Sequence, residues 1–537
     1  MRGERWAFLL IGLMFLTCCG KHEDPNEGLS IFKYNESGGI MTLDPIYAKD
    51  LPHIWACNQL FSSLVAFDEE MNVVPRIAKS WEISEDGTVY TFHLRDDVRF
   101  HEDESMPKPR CVTAEDVCYS FNRLVDKRLN SPGVWIFAPV AQENGQYAFQ
   151  ALDDTTFQMR LSKPFPPFLG ILSMTYASVV PKEAVEFYGD DFRRHPVGTG
   201  PFRFQYWNEG VKLVFRRNPD YFETDEKGER LPYLDAVSIS FLIDRQVAFL
   251  EFIKGKFDFM SGIDARYKDE LLTYDGELRH KYDGKIELIT GPYLNTEYIS
   301  FFIDPNDTLG VDRARALRQA VSYSIDRDKM LRYLRNGMGF PATGGMIPEG
   351  LPGHRDQIGY DYDLKKAQRL VKDNHLEGYQ LNLSTTADYA DIGKFVQSQV
   401  EQANLKCKMD VMPTATMRSM RANGSLSFFR ASWVADYPDA ENYLSLFTTS
   451  NFAPSGPNYS HYSNPRYDRL YDIAMSCAEV EERNAYYANM DSLMMLDAPV
   501  VVLFYDKVLR FVNNRVEGLG CNPTNLLDLR KVRIKKS

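Results

Sequence analysis

Arg430, Trp433 and Asp436, spaced by three along the chain, are residues whose side chains can do specific chemistry together. Asp436 offers a carboxylate acceptor for an ammonium group. Arg430 offers a planar fork that suits carboxylates and carbonyl oxygens. Trp433 adds a flat apolar wall with one donor. The apolar run Leu426 to Phe429 reads as a buried strand, after which a loop presents all three to a cleft, where they converge. Such a set fits a zwitterion with an organic body, an amino acid or a peptide. The competing reading is structural: Asp436 caps the turn at Pro438, Trp433 is core, and Arg430 pairs with a structural acid. On spacing alone that second reading is the commoner one.

The elements that must position these residues belong to a long chain. At 537 residues it exceeds one ordinary core, so two or three domains are expected. Hydrophobic content of 44% and charged content of 25% are those of a soluble globular protein. A net charge of −12 leaves no basic surplus to offset phosphate, which argues against nucleic acid as a partner. The basic run at 530–536 reads as a solvated tail strand.

The first nineteen residues read as a targeting segment. Arg2 and Arg5 give a charged start, and Trp6 to Leu16 is too short for a stable spanning anchor. Leu16-Thr17-Cys18-Cys19-Gly20 looks like a bacterial lipobox, with Cys19 the better-placed acceptor and Cys18 the alternative. Cleavage there leaves an acylated cysteine, a membrane anchor without a spanning helix. Residues 20–27 then form a polar tether. Six further cysteines, at 57, 111, 118, 407, 477 and 521, show no metal-like spacing and no disulfide framework. No cofactor or metal is expected.

Along the chain, Ser30 to Tyr34 reads as the first strand and Ile54 to Ser63 as a helix. Residues 80–95 form a hairpin about the Glu85-Asp86-Gly87-Thr88 turn. Thr113 and Asp116 set up a capping box for a helix to about Asp126. The glycines of Gly198-Thr199-Gly200 suit a tight backbone turn. Strands follow at 202–207, 211–216 and 236–243, and a helix at 245–254. From about 295 the texture becomes α/β. Strands are expected at 298–303, 381–385, 406–411 and 500–505, and helices at 312–323, 326–334, 362–374, 391–402 and 464–475.

Taken in order, several stretches resemble the periplasmic oligopeptide- and dipeptide-binding proteins of ABC importers, extracellular solute-binding protein family 5. They are Val74-Pro75 to Lys79-Ser80-Trp81, Asp86-Gly87 to Tyr90-Thr91-Phe92-His93-Leu94-Arg95, and Thr113-Ala114-Glu115-Asp116-Val117. Further on come Gly198-Thr199-Gly200-Pro201-Phe202, Arg217-Asn218-Pro219-Asp220-Tyr221, and Ala320-Val321-Ser322-Tyr323-Ser324-Ile325-Asp326-Arg327. The similarity runs from about 30 to 505.

The resemblance implies an α/β, periplasmic-binding-protein type II, three-lobed fold, with two α/β lobes around a cleft and an inserted α+β lobe. Lobe I is expected at 28–66, 196–290 and 506–537, lobe II at 67–195, and lobe III at 291–505. Two strands crossing near Ile289 and Phe504 form the hinge. It further implies a monomer that captures short peptides and delivers them to permease subunits in the membrane, outside the cytoplasm. In the peptide binders an Ala-Asp-Tyr segment holds the ligand's amino terminus, which carries onto Asp436 in Ala435-Asp436-Tyr437. Arg430, Trp433 and Arg421 match the family's spacing, and Tyr437 and Asp50 complete the expected ligand contacts. Departures occur where the family has a glutamate, here Lys49 beside Asp50, and where it has a tyrosine, here Gly133 with Trp135 two further on. Thr414 stands where the family has a tryptophan. These changes leave peptide length and side-chain pockets open.

An enzyme is poorly supported, since no GxSxG, HExxH or P-loop occurs. The nearer rivals are the same fold with a nickel chelate, haem or oligosaccharide, or a peptide receptor for signalling.

Overall fold

Ile31–Asn35 (β1) buries Phe32 and Tyr34 and exposes Lys33, the alternation of a half-covered strand. In this computed structural model, which describes every residue except 1–27, 263, 265, 266, 307, 536 and 537, β1 joins an eleven-stranded mixed sheet. The leader, Cys19 and the tether lie outside the described residues. The sheet continues with Phe202–Asn208 (β2), Lys212–Arg217 (β3), Ala236–Ser240 (β4) and Phe259–Ser261 (β5). Then come Ile286–Phe301 (β6), Gln380–Thr385 (β7), Lys406–Val411 (β8), Phe428–Val434 (β9) and Val500–Asn513 (β10). Their spatial order is β2-β3-β4-β1-β5-β10-β6-β9-β7-β8, with Phe340–Pro341 paired to β10.

β6 and β10 are much longer than the sequence suggests. They pair antiparallel from Ile286↔Asn513 to Ser300↔Val500. The expected strands at 298–303 and 500–505 are only their apolar ends. The polar half of β6 carries Gly291 and Pro292, residue types that a regular central strand disfavours. The ladder bulges just beyond them: Pro292 opposes Lys507 and Thr296 opposes Tyr505, leaving 293–295 opposite Asp506.

A second, four-stranded sheet is made of Ala78–Ile83, Val89–Leu94, Thr156–Arg160 and Phe149–Asp153, in that order. Its first two strands are the expected hairpin, with Gly87 at φ 68° in the turn. The expected capping box forms: Asp116 accepts from Thr113 N at 2.9 Å and opens the helix Ala114–Leu124. That helix is tied back to the first segment by Arg123, which grips buried Asp44 at 2.9 and 2.6 Å. The helix expected at Ile54 is Leu51–Leu60, starting earlier because Asp50 caps it and Pro52 suits its first turn. Gly198 and Gly200 are needed for closeness rather than for a turn, because a Cβ on either would strike the backbone of Leu60.

Separate groups of buried side chains fill the molecule. One, with Phe92, Phe121, Phe137 and Phe157, covers the four-stranded sheet and includes Tyr437 from far along the chain. A second gathers Phe32, Trp55, Phe202, Phe215 and Leu527. Two more lie on the opposite faces of β6 and β9: Tyr298, Phe429 and Met494 on one, Ile299, Phe428 and Phe504 on the other. Each such ring contributes on the order of 2 kcal/mol by leaving water. The six described cysteines are free thiols.

Candidate functional site

The apolar start of β9 is the expected buried run, but the strand does not stop at Phe429. It continues to Val434 because β6 pairs it through Asn295↔Val434 and Thr296↔Trp433. Arg430 and Trp433 therefore sit on the strand, not in a loop. Side chains on a strand alternate, so residues three apart face opposite ways. The three expected residues do not converge. Trp433 and Asp436 come together, and Arg430 lies on the other face.

Asn442, itself buried, organises the first pair. Its Oδ1 accepts from Trp433 Nε1 at 2.8 Å and from Asp436 N at 3.1 Å. The Asp436 carboxylate is exposed and has no ion-pair partner among the described residues. The protein surrounding it still holds its carboxyl above the ordinary value, with the Asn442 amide opposing. Exposure and this upward shift fit together if the group lines a concave surface, open to water but ringed by protein.

Two other segments meet it there. Tyr176 is buried, and its phenol is pushed up to about 12 by burial, with the charges of Asp436 and Asp50 adding. One phenol thus feels both carboxylates. Gly133 makes room for this ring, since a Cβ there would strike it. The position where the family carries a tyrosine is therefore backed by an aromatic ring from another segment. Asp50 caps the helix Leu51–Leu60 and bonds His53 Nδ1, while His53 Nε2 accepts from Met41 N at 3.0 Å. The accepting Nε2 fixes the proton on Nδ1, so His53 donates to Asp50. Glu36, near Asp50, is raised by burial.

Tyr437 is used differently from the expectation. It is 7% exposed, donates to Glu441 Oε2, and meets the Trp135 ring at 6.3 Å. It belongs to the contact between the four-stranded-sheet region and the β9 region, not to an open surface.

Arg430 follows the structural reading. Its Nε and Nη2 donate to the two oxygens of Glu297, the second at 2.6 Å, and its guanidinium lies 3.3 Å over the Tyr389 ring. Glu297 is 1% exposed, and burial lifts its carboxyl to about 7 although Arg430 opposes this. Beside them Arg335 donates to Asp506 at 2.6 Å, and Asn295 bonds the same carboxylate within the bulge. Arg421 packs on the Tyr459 ring at 4.1 Å, with no hydrogen-bond partner at Nε among the described residues.

The backbone of β9 adds a further feature. Its pairing with β7 covers only Leu383↔Phe428 and Ser384↔Phe429. Ala435 N donates to Leu294 O at 2.8 Å, and alternation then turns the main-chain groups of Ser432 and Val434 away from β6. On that side no strand pairs with them among the described residues. The strand thus offers an open edge ending at Asp436.

Sequence reasoning missed Asn442, Tyr176, His53, Glu36 and Glu297. Only Glu297 left a trace, a carboxylate bordering the apolar run from Tyr298, which calls for a buried partner.

Residues 72–455 match the family model described as "Bacterial extracellular solute-binding proteins, family 5 Middle". The chain is similar to the dipeptide-binding protein of Escherichia coli (strain K12), 25% identical over 499 residues, 86% of this chain and 87% of that one. Its fold is similar to that of HbpA2 from Haemophilus parasuis, with TM-score 0.83 at 22% identity over 94% of this chain and 100% of the other. It is also similar to DppA from Helicobacter pylori in complex with the peptide STSA, with TM-score 0.71 at 25% identity over 94% and 98%. The fold class expected from the sequence, α/β and periplasmic-binding type II with three lobes, holds.

The Asp436 carboxyl gives a direct check on the site's electrostatics. In an NMR titration of the unliganded protein its midpoint is expected above 3.8, and Asn442→Ala is expected to raise it further by removing an opposing hydrogen bond. The charge is then lost as pH falls through that raised midpoint. A midpoint at or below 3.8 contradicts the concave, protein-ringed setting.

Proposed function

The chain belongs to the bacterial extracellular solute-binding proteins of family 5, and from that premise we propose that it captures short peptides for an ABC importer. The ligand lies in a cleft between lobe I (28–66, 196–290 and 506–537) and lobe III (291–505), with lobe II (67–195) beside it. The cleft closes about the two strands that cross near Ile289 and Phe504, where the bulge opposite Asp506 interrupts their ladder. The closed form is what the permease subunits recognise, and the peptide passes to them unchanged.

One observation carries this reading: Asp436, a carboxylate without a counter-ion among the described residues, stands at the end of a strand edge that none of them pairs. Closure takes the ligand's ammonium out of water, and an unpaired buried ammonium would cost several kcal/mol. Asp436 is its partner. Peptide N–H and C=O groups face the same demand, which the main chain of Ser432 and Val434 meets by strand addition. This recognises backbone and not sequence, and hydrated pockets then tolerate varied side chains. A micromolar ligand needs only about −8 kcal/mol net, after closure and ordering are charged against the contacts. The relatives named for dipeptides and solved with a bound peptide support the ligand class.

Cys19 is the acylated residue, and residues 20–27 tether the body to a bacterial membrane, facing the periplasm or the outside. The mature protein acts there as a monomer.

Asp436→Asn is expected to weaken binding of free-amine peptides far more than of their N-acetylated forms in calorimetry. Equal loss for both removes the anchor role. Cys19→Ser is expected to move the protein from the membrane to the soluble fraction of fractionated cells, and an unchanged membrane fraction contradicts lipidation at this residue.

A further inference from the structure

The arginine whose chemistry suits a ligand carboxylate is already holding one. Glu297 fills the Nε and Nη2 edge of Arg430, and neither bond uses Nη1. The pair is well covered: the Glu297 side chain keeps 2% of its surface and that of Arg430 keeps 15%. The Tyr389 ring packs against the guanidinium, its centroid 3.3 Å from the guanidinium carbon, and its side chain also bonds Arg430. The next cation along, Arg335, is likewise paired, to Asp506. Above the Glu297 midpoint of about 7, and among the described residues, this corner of the site therefore pairs two cations with two anions and has no net charge to offer. At the other end Asp436, Asp50 and Glu36 stand with no comparable pairing to arginine among the described residues.

We propose that Glu297 is a specificity-determining residue: its carboxylate neutralises Arg430, so that Arg430 serves a ligand's neutral carbonyls and does not select for its carboxylate end. A guanidinium already bonded to one carboxylate attracts a second one weakly, because the first sits at a similar distance and repels it. A neutral carbonyl meets no such repulsion and can still accept from Nη1. The site is accordingly read as selective at the amine and indifferent at the carboxylate, accepting peptides whose C-terminus is amidated or extended. This rests on the peptide reading given above.

The test uses peptides of about two to five residues, each as free acid and as C-terminal amide. Arg430 and Asp436 are six residue steps apart, the last two beyond the strand's end at Val434; extended chain covers at most about 20 Å in six steps, which the longer peptides and the arginine side chain together span. Dissociation constants are measured at a pH above the Glu297 midpoint, where that carboxyl is ionised, for the wild type, Glu297→Gln and Arg430→Gln, with thermal melts to establish folding. The wild type is expected to bind acid and amide within about threefold at every length. Glu297→Gln is expected to favour the acid by about tenfold or more at a length that reaches Arg430, as a charge-assisted hydrogen bond becomes available. A folded Glu297→Gln with an unchanged ratio overturns the proposal. So does a wild-type preference for the acid that Arg430→Gln abolishes, a result that does not need Glu297→Gln to fold. If no peptide binds the wild type, the peptide reading falls and this proposal with it. If amine dependence at Asp436 survives while the acid preference traces to Arg430, only this proposal falls.

Discussion

Backbone pairing between Asn295–Phe301 and Phe428–Val434 fixes which groups of this molecule are free to meet a ligand. The hydrogen bond from Ala435 N to Leu294 O sets the phase of the ladder. From that phase follows the side of the strand on which Ser432 and Val434 present their main chain, and the face on which each side chain falls. A slip of one residue would exchange the faces, putting Arg430 against the Trp433 core and Trp433 against Glu297. The apolar residues enforce the register, since Phe428 and Phe429 must each reach a different core. The site is thus a by-product of packing two cores against one sheet.

Charge is distributed around that strand by pairing. Where cations and anions can meet within the protein they do, as in Arg430 with Glu297, Arg335 with Asp506, and Arg123 with Asp44. Burying such pairs adds little net stability, but leaving one partner alone would be costly. The informative residue is therefore Asp436, which has no such partner among the described residues and stands in protein surroundings that disfavour its charge. A carboxylate kept in that condition is best satisfied by something that arrives from outside. The aromatic rings about it, Tyr176 backed against Gly133 and Trp135 against Tyr437, join segments remote in sequence, so the pocket depends on how the regions are packed.

Much of the fold was legible in the sequence where local chemistry decides it. The capping box at Thr113, the hairpin turned at Gly87, and the strands with clean alternation form as expected. What failed did so for reasons of context. The helix Val480–Asp497 was missed because its tyrosines, methionines and leucines are spread around its circumference and leave no clear stripe. The polar half of β6 has no apolar run to mark it, and only the resemblance, which implies a crossing strand near Ile289, pointed to it; the bulge after Pro292 left no local signal. At the site, the identity of Asp436 and Trp433 was visible, but the side each faces was not. Three-residue spacing suggested convergence only so long as the strand ended at Phe429, and the partner that extends it lies about 130 residues earlier in the chain. Asn442 and Tyr176 left no local signal.

The central claim is that a free amine on a short peptide satisfies Asp436 when the cleft closes. Native mass spectrometry of the protein purified from cells reads the masses of the cargo it carries. A ladder of peptides of about two to five residues is the result this account predicts. A single sugar or metal complex, carrying no amine, would contradict it.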